Sequence, residues 1–126
     1  MKVLVSGTRN GVDNLIVETM LLFVAKLNTE EKILLHGTAK GVDTQAANYA
    51  KKLGWEVKPF KPDWSIGNHA GLNRNSDMVN YGPDFGIFIP GPTSTGTYDC
   101  LQKYKLLHKP YILYDFNKRT FTYYEV

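Results

Sequence analysis

Ile33-Leu34-Leu35-His36-Gly37-Thr38-Ala39-Lys40-Gly41-Val42-Asp43 (33–43) is the stretch whose reading decides the fold. It opens with a continuously apolar run, as a strand covered on both faces would. A glycine turn follows. Val42, Ala46, Tyr49, Ala50 and Leu53 then recur at helical spacing, with Asp43 as the expected N-cap and Gly54 as the C-terminal stop.

Outward from this stretch, the same order repeats in both directions. Lys2–Ser6, Lys32–His36, Trp55–Phe60, Phe85–Pro90 and Tyr111–Tyr114 read as strands. A helix capped by Asp13 places Ile16, Met20, Phe23 and Leu27 on one face. A mostly polar helix spans about Ala70–Val79. A last one runs from about Thr95 to His108, with Cys100, Leu101 and Tyr104 inward and Pro110 beyond it. Alternation of this kind implies an α/β domain with a mostly parallel sheet of about five strands and right-handed crossovers. After the Asp115–Lys118 turn, Arg119–Tyr124 alternates polar and aromatic residues and reads as an antiparallel C-terminal edge strand.

Composition narrows the class. A chain of 126 residues makes one domain, 1–126, and 43% hydrophobic with 21% charged residues excludes a disordered chain. No apolar run approaches the roughly 20 residues that cross a bilayer, so no membrane partner is expected. Cys100 stands alone, which fits a reducing compartment, and residues 1–5 already read as strand; a cytoplasmic location is the expectation. A net charge of +3 suits an anionic ligand and argues against nucleic acid, which calls for a strong basic stripe.

The glycines gather where strands end and helices begin. Ser6-Gly7-Thr8-Arg9-Asn10-Gly11 follows the first strand, 36–43 the second, and Pro90-Gly91-Pro92-Thr93-Ser94-Thr95-Gly96-Thr97 the fourth. At such junctions free backbone N–H groups and the helix dipole favour an anion, and glycine lets it approach. In an open α/β sheet, ligands bind along this edge. The first loop is not G-x-G-x-x-G and no G-K-[ST] element is present, so neither a dinucleotide cofactor nor P-loop chemistry is indicated. Three dispersed histidines and one cysteine give no metal-ligand spacing. No cofactor or metal is expected.

Ser-Gly-Thr-Arg (6–9), His-Gly-Thr-Ala-Lys-Gly-Val-Asp (36–43), the segment from Asp63-Trp64 to Ala70-Gly71 with Arg74-Asn75 and Met78, and the Pro-Gly…Gly-Thr loop (90–97) together resemble the SLOG superfamily, in particular its YspA-like branch. The resemblance covers about residues 2–114. It implies a Rossmann-like three-layer sandwich that binds nucleotides or nucleotide-derived, ADP-ribose-like ligands. Relatives include the cytokinin-activating LOG phosphoribohydrolases and the DNA-processing protein DprA. It also implies a homo-oligomer, with the last helix or the Tyr-rich tail as candidate faces. Carried over by position, Gly7, Thr8 and Arg9 line one side of the pocket. Gly37, Ala39, Gly41 and Asp43 form its floor, Arg74 and Asn75 approach from the third helix, and Gly91, Thr95, Gly96 and Thr97 cradle phosphate.

Two departures separate the chain from the phosphoribohydrolases, whose loop reads Pro-Gly-Gly-x-Gly-Thr-x-x-Glu. Pro92 takes the second glycine position, and Cys100 takes the acidic one, with Asp99 a residue earlier. One position on a helix turns a side chain by about 100°. The reading therefore moves from turnover to binding by a sensor, carrier or sequestering protein. The alternatives are an N-glycosidic phosphoribohydrolase of nucleoside monophosphates using Asp99 and Arg74, and a DprA-like single-strand binder using Lys40, Lys58, Lys61, Arg74 and Trp64. Trp64 is the candidate for stacking on a base. Asp43 has a second reading as a ribose or metal contact, His36 reads as a hydrogen-bonded core residue, and Cys100 as a buried small hydrophobe.

Overall fold

The computed structural model describes residues 1–126. Six strands form one sheet: β1 Lys2–Gly7, β2 Ile33–His36, β3 Glu56–Pro59, β4 Phe85–Ile89, β5 Tyr111–Asp115 and β6 Thr120–Tyr124. Four helices connect them: α1 Asn14–Ala25, α2 Val42–Lys52, α3 Ala70–Asn80 and α4 Thr95–Lys105, with a 3-10 turn at Trp64–Ile66. The strand order is β3-β2-β1-β4-β5-β6. The first five strands run parallel, and β6 returns antiparallel along β5 with Leu113 opposite Thr122. This is the expected α/β sandwich, a Rossmann-like sheet with one antiparallel edge.

The alternation of side chains along each strand builds two cores. Val3, Val5, Leu34, Ile87 and Ile89 pack against α1 and α2 on one face. Leu4 and Phe88 point the other way, onto Met78 and Val79 of α3 and Cys100, Leu101 and Tyr104 of α4. β4 is buried at all five positions, as its uninterrupted apolar sequence requires. No helix is long and apolar enough to cross a membrane.

Three local expectations need correction. In α1 Met20 is buried and Ile16 and Phe23 pack partly buried against the core as expected, but Val17, Leu21 and Val24 are buried as well, and Leu27 lies past the helix end, 38% exposed. Leu, Ile, Val, Met and Phe occupy most of this helix's circumference, so periodicity alone does not choose the facing side. α4 stops at Lys105 rather than His108, and His108 takes a left-handed φ of 54° before the turn to Pro110. The N-cap of α2 is Gly41, and Asp43 is the second residue inside the helix. Asp13, by contrast, caps α1 as expected, accepting from the Leu15 amide at 3.0 Å.

Gly86, at the middle of the sheet, sets how closely α4 lies on β4. A Cβ there would fall 2.6 Å from Phe88 Cε2 and 3.0 Å from Tyr104 Cζ, both fully buried rings. Tyr104 has little freedom to retreat, because its hydroxyl donates to the Pro110 carbonyl at 2.6 Å. Gly86→Ala is expected to cost about 1–3 kcal/mol of stability by overpacking, read as an earlier urea midpoint; an unchanged midpoint would show that α4 can shift freely.

Candidate functional site

The chain leaves β1 toward β2 and β3 on one side, then returns to place β4 and β5 on the other. Loops therefore diverge between the carboxyl ends of β1 and β4, which leaves a crevice there. A cleft of about 660 Å³ occupies that place. Ser6–Asn10 form one wall, Thr93–Thr97 the other, and Ala39, Asp43, Trp64, Asn68, Gly71, Leu72, Arg74 and Asn75 close it from the side.

Thr8 holds the walls together. Its N–H donates to Ile89 O at the end of β4 (2.9 Å), and its carbonyl accepts from the Val42 amide that begins α2 (3.1 Å). Gly41 sits against this junction with φ +79°, and a Cβ there would lie 2.5 Å from Thr8 O and Gly11 N. Only glycine meets both conditions. Gly91 approaches from the third loop, where a Cβ would come 2.9 Å from Thr8 Oγ1.

The amino end of α4 opens into the cleft without a cap. Ser94, at the N-cap position, turns its hydroxyl back to accept from the Gly91 amide at 2.7 Å. The Gly96 and Thr97 amides find no acceptor in the chain, so two donors and the positive helix end face open space. A Cβ on Gly96 would meet nothing within 4 Å.

Helix α3 brings a second positive group from the other side of the cleft. Gly71, Arg74 and Asn75 are three and four residues apart and share a face. Arg74 Nη1 donates to Gly37 O and its Nε to Asn75 Oδ1 (2.9 Å), which leaves Nη2 unpaired. Asn75, buried, donates from Nδ2 to Gly96 O and to Asp99 Oδ2, both at 3.1 Å, and so fixes α3 to the start of α4. Arg9 is exposed at the mouth with no intramolecular partner, and Trp64, 58% exposed, stands at the rim.

Asp43 is the carboxylate at the base of the cleft. Oδ2 accepts from the amides of Gly37 (2.9 Å) and Ala39 (3.2 Å), tying the second loop into a ring; Oδ1 has no partner in the chain. Burial pushes its pKa up to about 6, against the lowering effects of those amides and of Arg74 and Arg9. The Cys100 thiol is pushed up to about 12, again by burial, with Ser6 beside it, which makes it an inert core group. His36 is buried, accepts from the Thr38 amide at Nδ1, and has its pKa lowered by burial and by Lys51 and Arg74. No three His, Cys, Asp or Glu side chains gather to hold a metal.

Of the residues singled out from sequence, Gly7, Thr8, Arg9, Ala39, Asp43, Trp64, Arg74, Asn75, Thr95, Gly96 and Thr97 come together around the cleft. Gly37, Gly41 and Gly91 stand behind its walls and act by closeness: a side chain on Gly37 would collide with the Arg74 guanidinium. Asp99 lies outside the lining, its Oδ2 engaged by Asn75 and by Lys103 Nζ at 2.9 Å. Lys58 lies over the rings of Phe60 and Tyr81 and is not among the residues that line the cleft. Ser6, Asn10, Asn68, Gly71, Leu72, Thr93 and Ser94 complete the lining and were not singled out, although six of the seven fall inside the quoted loop segments. Gly71 and Leu72 belong to the first turn of α3, and helical spacing back from Arg74 and Asn75 was the signal for Gly71.

An open sheet of order 3-2-1-4-5 with a polar cleft at its switch point defines a Rossmann-like α/β domain. The chain belongs to the YspA, cpYpsA-related SLOG family, whose model matches residues 1–67. Among known proteins it is similar to the Gene 61 protein of Mycobacterium phage D29, with 31% identity over 108 residues, 81% of this chain and 86% of the phage protein. Its fold is also that of TM1055, a Northeast Structural Genomics Consortium target solved by X-ray crystallography. The TM-score is 0.62 at 20% identity, covering 87% of this chain and 71% of that one. The family match takes in the first two loops, whereas Arg74, Asn75 and the Gly91–Thr97 loop lie beyond it.

The raised pKa of Asp43 has a definite sign. Folding stability is full while the group is protonated in both states, below 3.8, and falls as pH rises toward about 6, because the folded state resists ionisation. Asp43→Asn keeps an oxygen for the two amides and cannot ionise. Relative to that variant, the wild-type chain is expected to lose about 1–3 kcal/mol between pH 4 and 6 and then hold level; parallel stability curves across that window would refute the assignment.

Proposed function

We propose that the cleft binds a phosphorylated, nucleotide-derived ligand, and that the chain acts as a sensor, carrier or sequestering protein for it. The observation that carries this reading is the uncapped start of α4. Two free amides, the hydroxyls of Thr93, Thr95 and Thr97, and the positive end of the helix face the unpaired nitrogen of Arg74 and the free Arg9 across one cavity. A phosphate between them satisfies both sides. Trp64 at the rim offers a ring for a base, and Asp43 Oδ1 offers an acceptor for a ligand hydroxyl. Membership of the SLOG family supports the same ligand class.

Binding without turnover is favoured by the placement of Asp99. Hydrolysis at a ribose carbon needs a carboxylate within reach of the oxocarbenium-like centre, and Asp99 is turned to Asn75 and Lys103 outside the lining.

Calorimetric titration with AMP, ADP and ADP-ribose tests this. Loss of one charge-assisted contact in Arg9→Ala is expected to weaken binding by about tenfold or more. Gly96→Val projects methyls into open space beside the free amides and is expected to abolish binding while leaving the fold intact. The bound ligand is recovered unchanged. Absence of binding by every phosphorylated candidate, or indifference to both substitutions, overturns the proposal; release of free base from AMP, lost in Asp99→Asn, replaces it with a phosphoribohydrolase.

A further inference from the structure

The chain has eleven glycines, and all but two have a reason within the folded chain itself. Five take a positive φ, which disfavours any side chain. Four more, Gly7, Gly37, Gly86 and Gly91, would bring a Cβ to 2.9 Å or less from another residue. Gly71 and Gly96 have neither reason. Each is the second residue of a helix, where glycine is a poorer helix former than alanine, and both line the cleft. The room they leave belongs to something outside the chain. Asp43 points the same way, being 4% exposed with Oδ1 unpartnered at the base of the same cavity.

Gly96 lies at the free amides of α4, where the phosphate is placed above. Gly71 serves another part of the cavity. The place of its missing Cβ is 3.9 Å from Arg74 Nη2 and 3.9 Å from Trp64 Cη2, so those two atoms are no more than about 8 Å apart. Nη2 is the nitrogen of Arg74 with no partner in the chain, and the Trp64 ring is largely exposed. Asp63 holds the turn that carries this ring, its carboxylate accepting from the amide and the hydroxyl of Ser65. A cation and an aromatic ring thus flank one bare stretch of helix.

We propose that Gly71 is the position that admits the nucleoside part of the ligand. The base lies on Trp64, the phosphate esterified to its sugar meets Arg74, and the sugar crosses α3 at Gly71. This rests on the reading of the cleft as a nucleotide site and narrows it to one end of the ligand. The short span between ring and guanidinium suits a phosphate joined directly to the sugar, since the far phosphate of a longer chain is held farther from the base. Gly71 therefore selects for a nucleoside phosphate and is indifferent to a bare phosphate. A methyl at position 71 makes only ordinary contact with Trp64 and Arg74, so the fold has no need of glycine there and the ligand's path does.

Titration of the full chain with AMP by calorimetry, and with inorganic phosphate by NMR of the Gly96 and Thr97 amides, tests this. Gly71→Ala is expected to melt no lower than the wild type, because alanine favours a helix. It is expected to weaken AMP binding severalfold, and Gly71→Val by about tenfold or more, as the added methyls crowd the sugar. Inorganic phosphate is expected to bind the wild type and Gly71→Ala alike, whereas Gly96→Val loses both probes. Equal AMP affinity in the wild type and Gly71→Val overturns the inference and leaves the phosphate site standing. So does a Gly71→Ala chain that loses inorganic phosphate as much as it loses AMP. A wild-type chain that binds neither probe removes the phosphate site and this inference together.

Discussion

The backbone of Thr8 bonds to two elements at once. Through its N–H it is bound to the last residue of β4, and through its carbonyl to the first amide of α2. Each bond is worth only about 1 kcal/mol net, but neither group can find water where it is buried, so breaking one exposes the larger cost of an unpaired polar atom. The consequence is geometric. The ends of β1 and β4 cannot drift apart, and α2 cannot slide along its axis. Gly41 and Gly91 are the residues that allow so close an approach from the second and third loops. A cleft with walls fixed in this way is preorganised, since little of the rim must be ordered when something enters.

Much of this was legible because it rests on local chemistry. The runs at 33–35 and 87–89 are apolar at consecutive positions, which only a strand covered on both faces requires, and the glycines mark where those strands end. What was not legible depends on neighbours distant in sequence. Asp43 has the composition of an N-cap, yet the Val42 amide is taken by Thr8, thirty-four positions away, and the helix starts earlier at Gly41. The side of α1 that faces inward is likewise decided by the sheet beneath it, because the helix has apolar residues nearly all round. From sequence alone Gly37 and Gly91 read as ligand contacts, because glycine in a loop permits either a ligand or a neighbouring chain segment to approach. In the folded chain Arg74 approaches the first and Thr8 the second.

Charge in the cleft is arranged asymmetrically. Arg74 is anchored by Gly37 and Asn75 and offers its remaining nitrogen from a fixed position, whereas Arg9 is held only by its backbone. A guanidinium already ordered loses less freedom on binding than a mobile one. Asp43 moderates both. While ionised it offsets part of their field, and when protonated it leaves two arginines and a helix end with no opposing charge. Cleft and loop are thus coupled through a single carboxylate, because the oxygen that ties the second loop and the oxygen that faces the cavity belong to the same group.

The carboxylate that reaches the cavity therefore comes from the first turn of α2 rather than from α4, and the geometry of α4 accounts for this. Cys100 holds the inward position of the second turn and is fully buried against the end of β1, with Ser6 beside it. Asp99, one residue and about 100° away, is carried round to the seam between α3 and α4. There it accepts from Asn75 and pairs with Lys103, four residues on in its own helix. Exchanging the two residues would put a charge into the core and remove an acceptor from the seam, so the order Asp99-Cys100 is a packing requirement of this helix. The same order that turns the acid away from the cavity leaves the helix's amino end free to meet an anion.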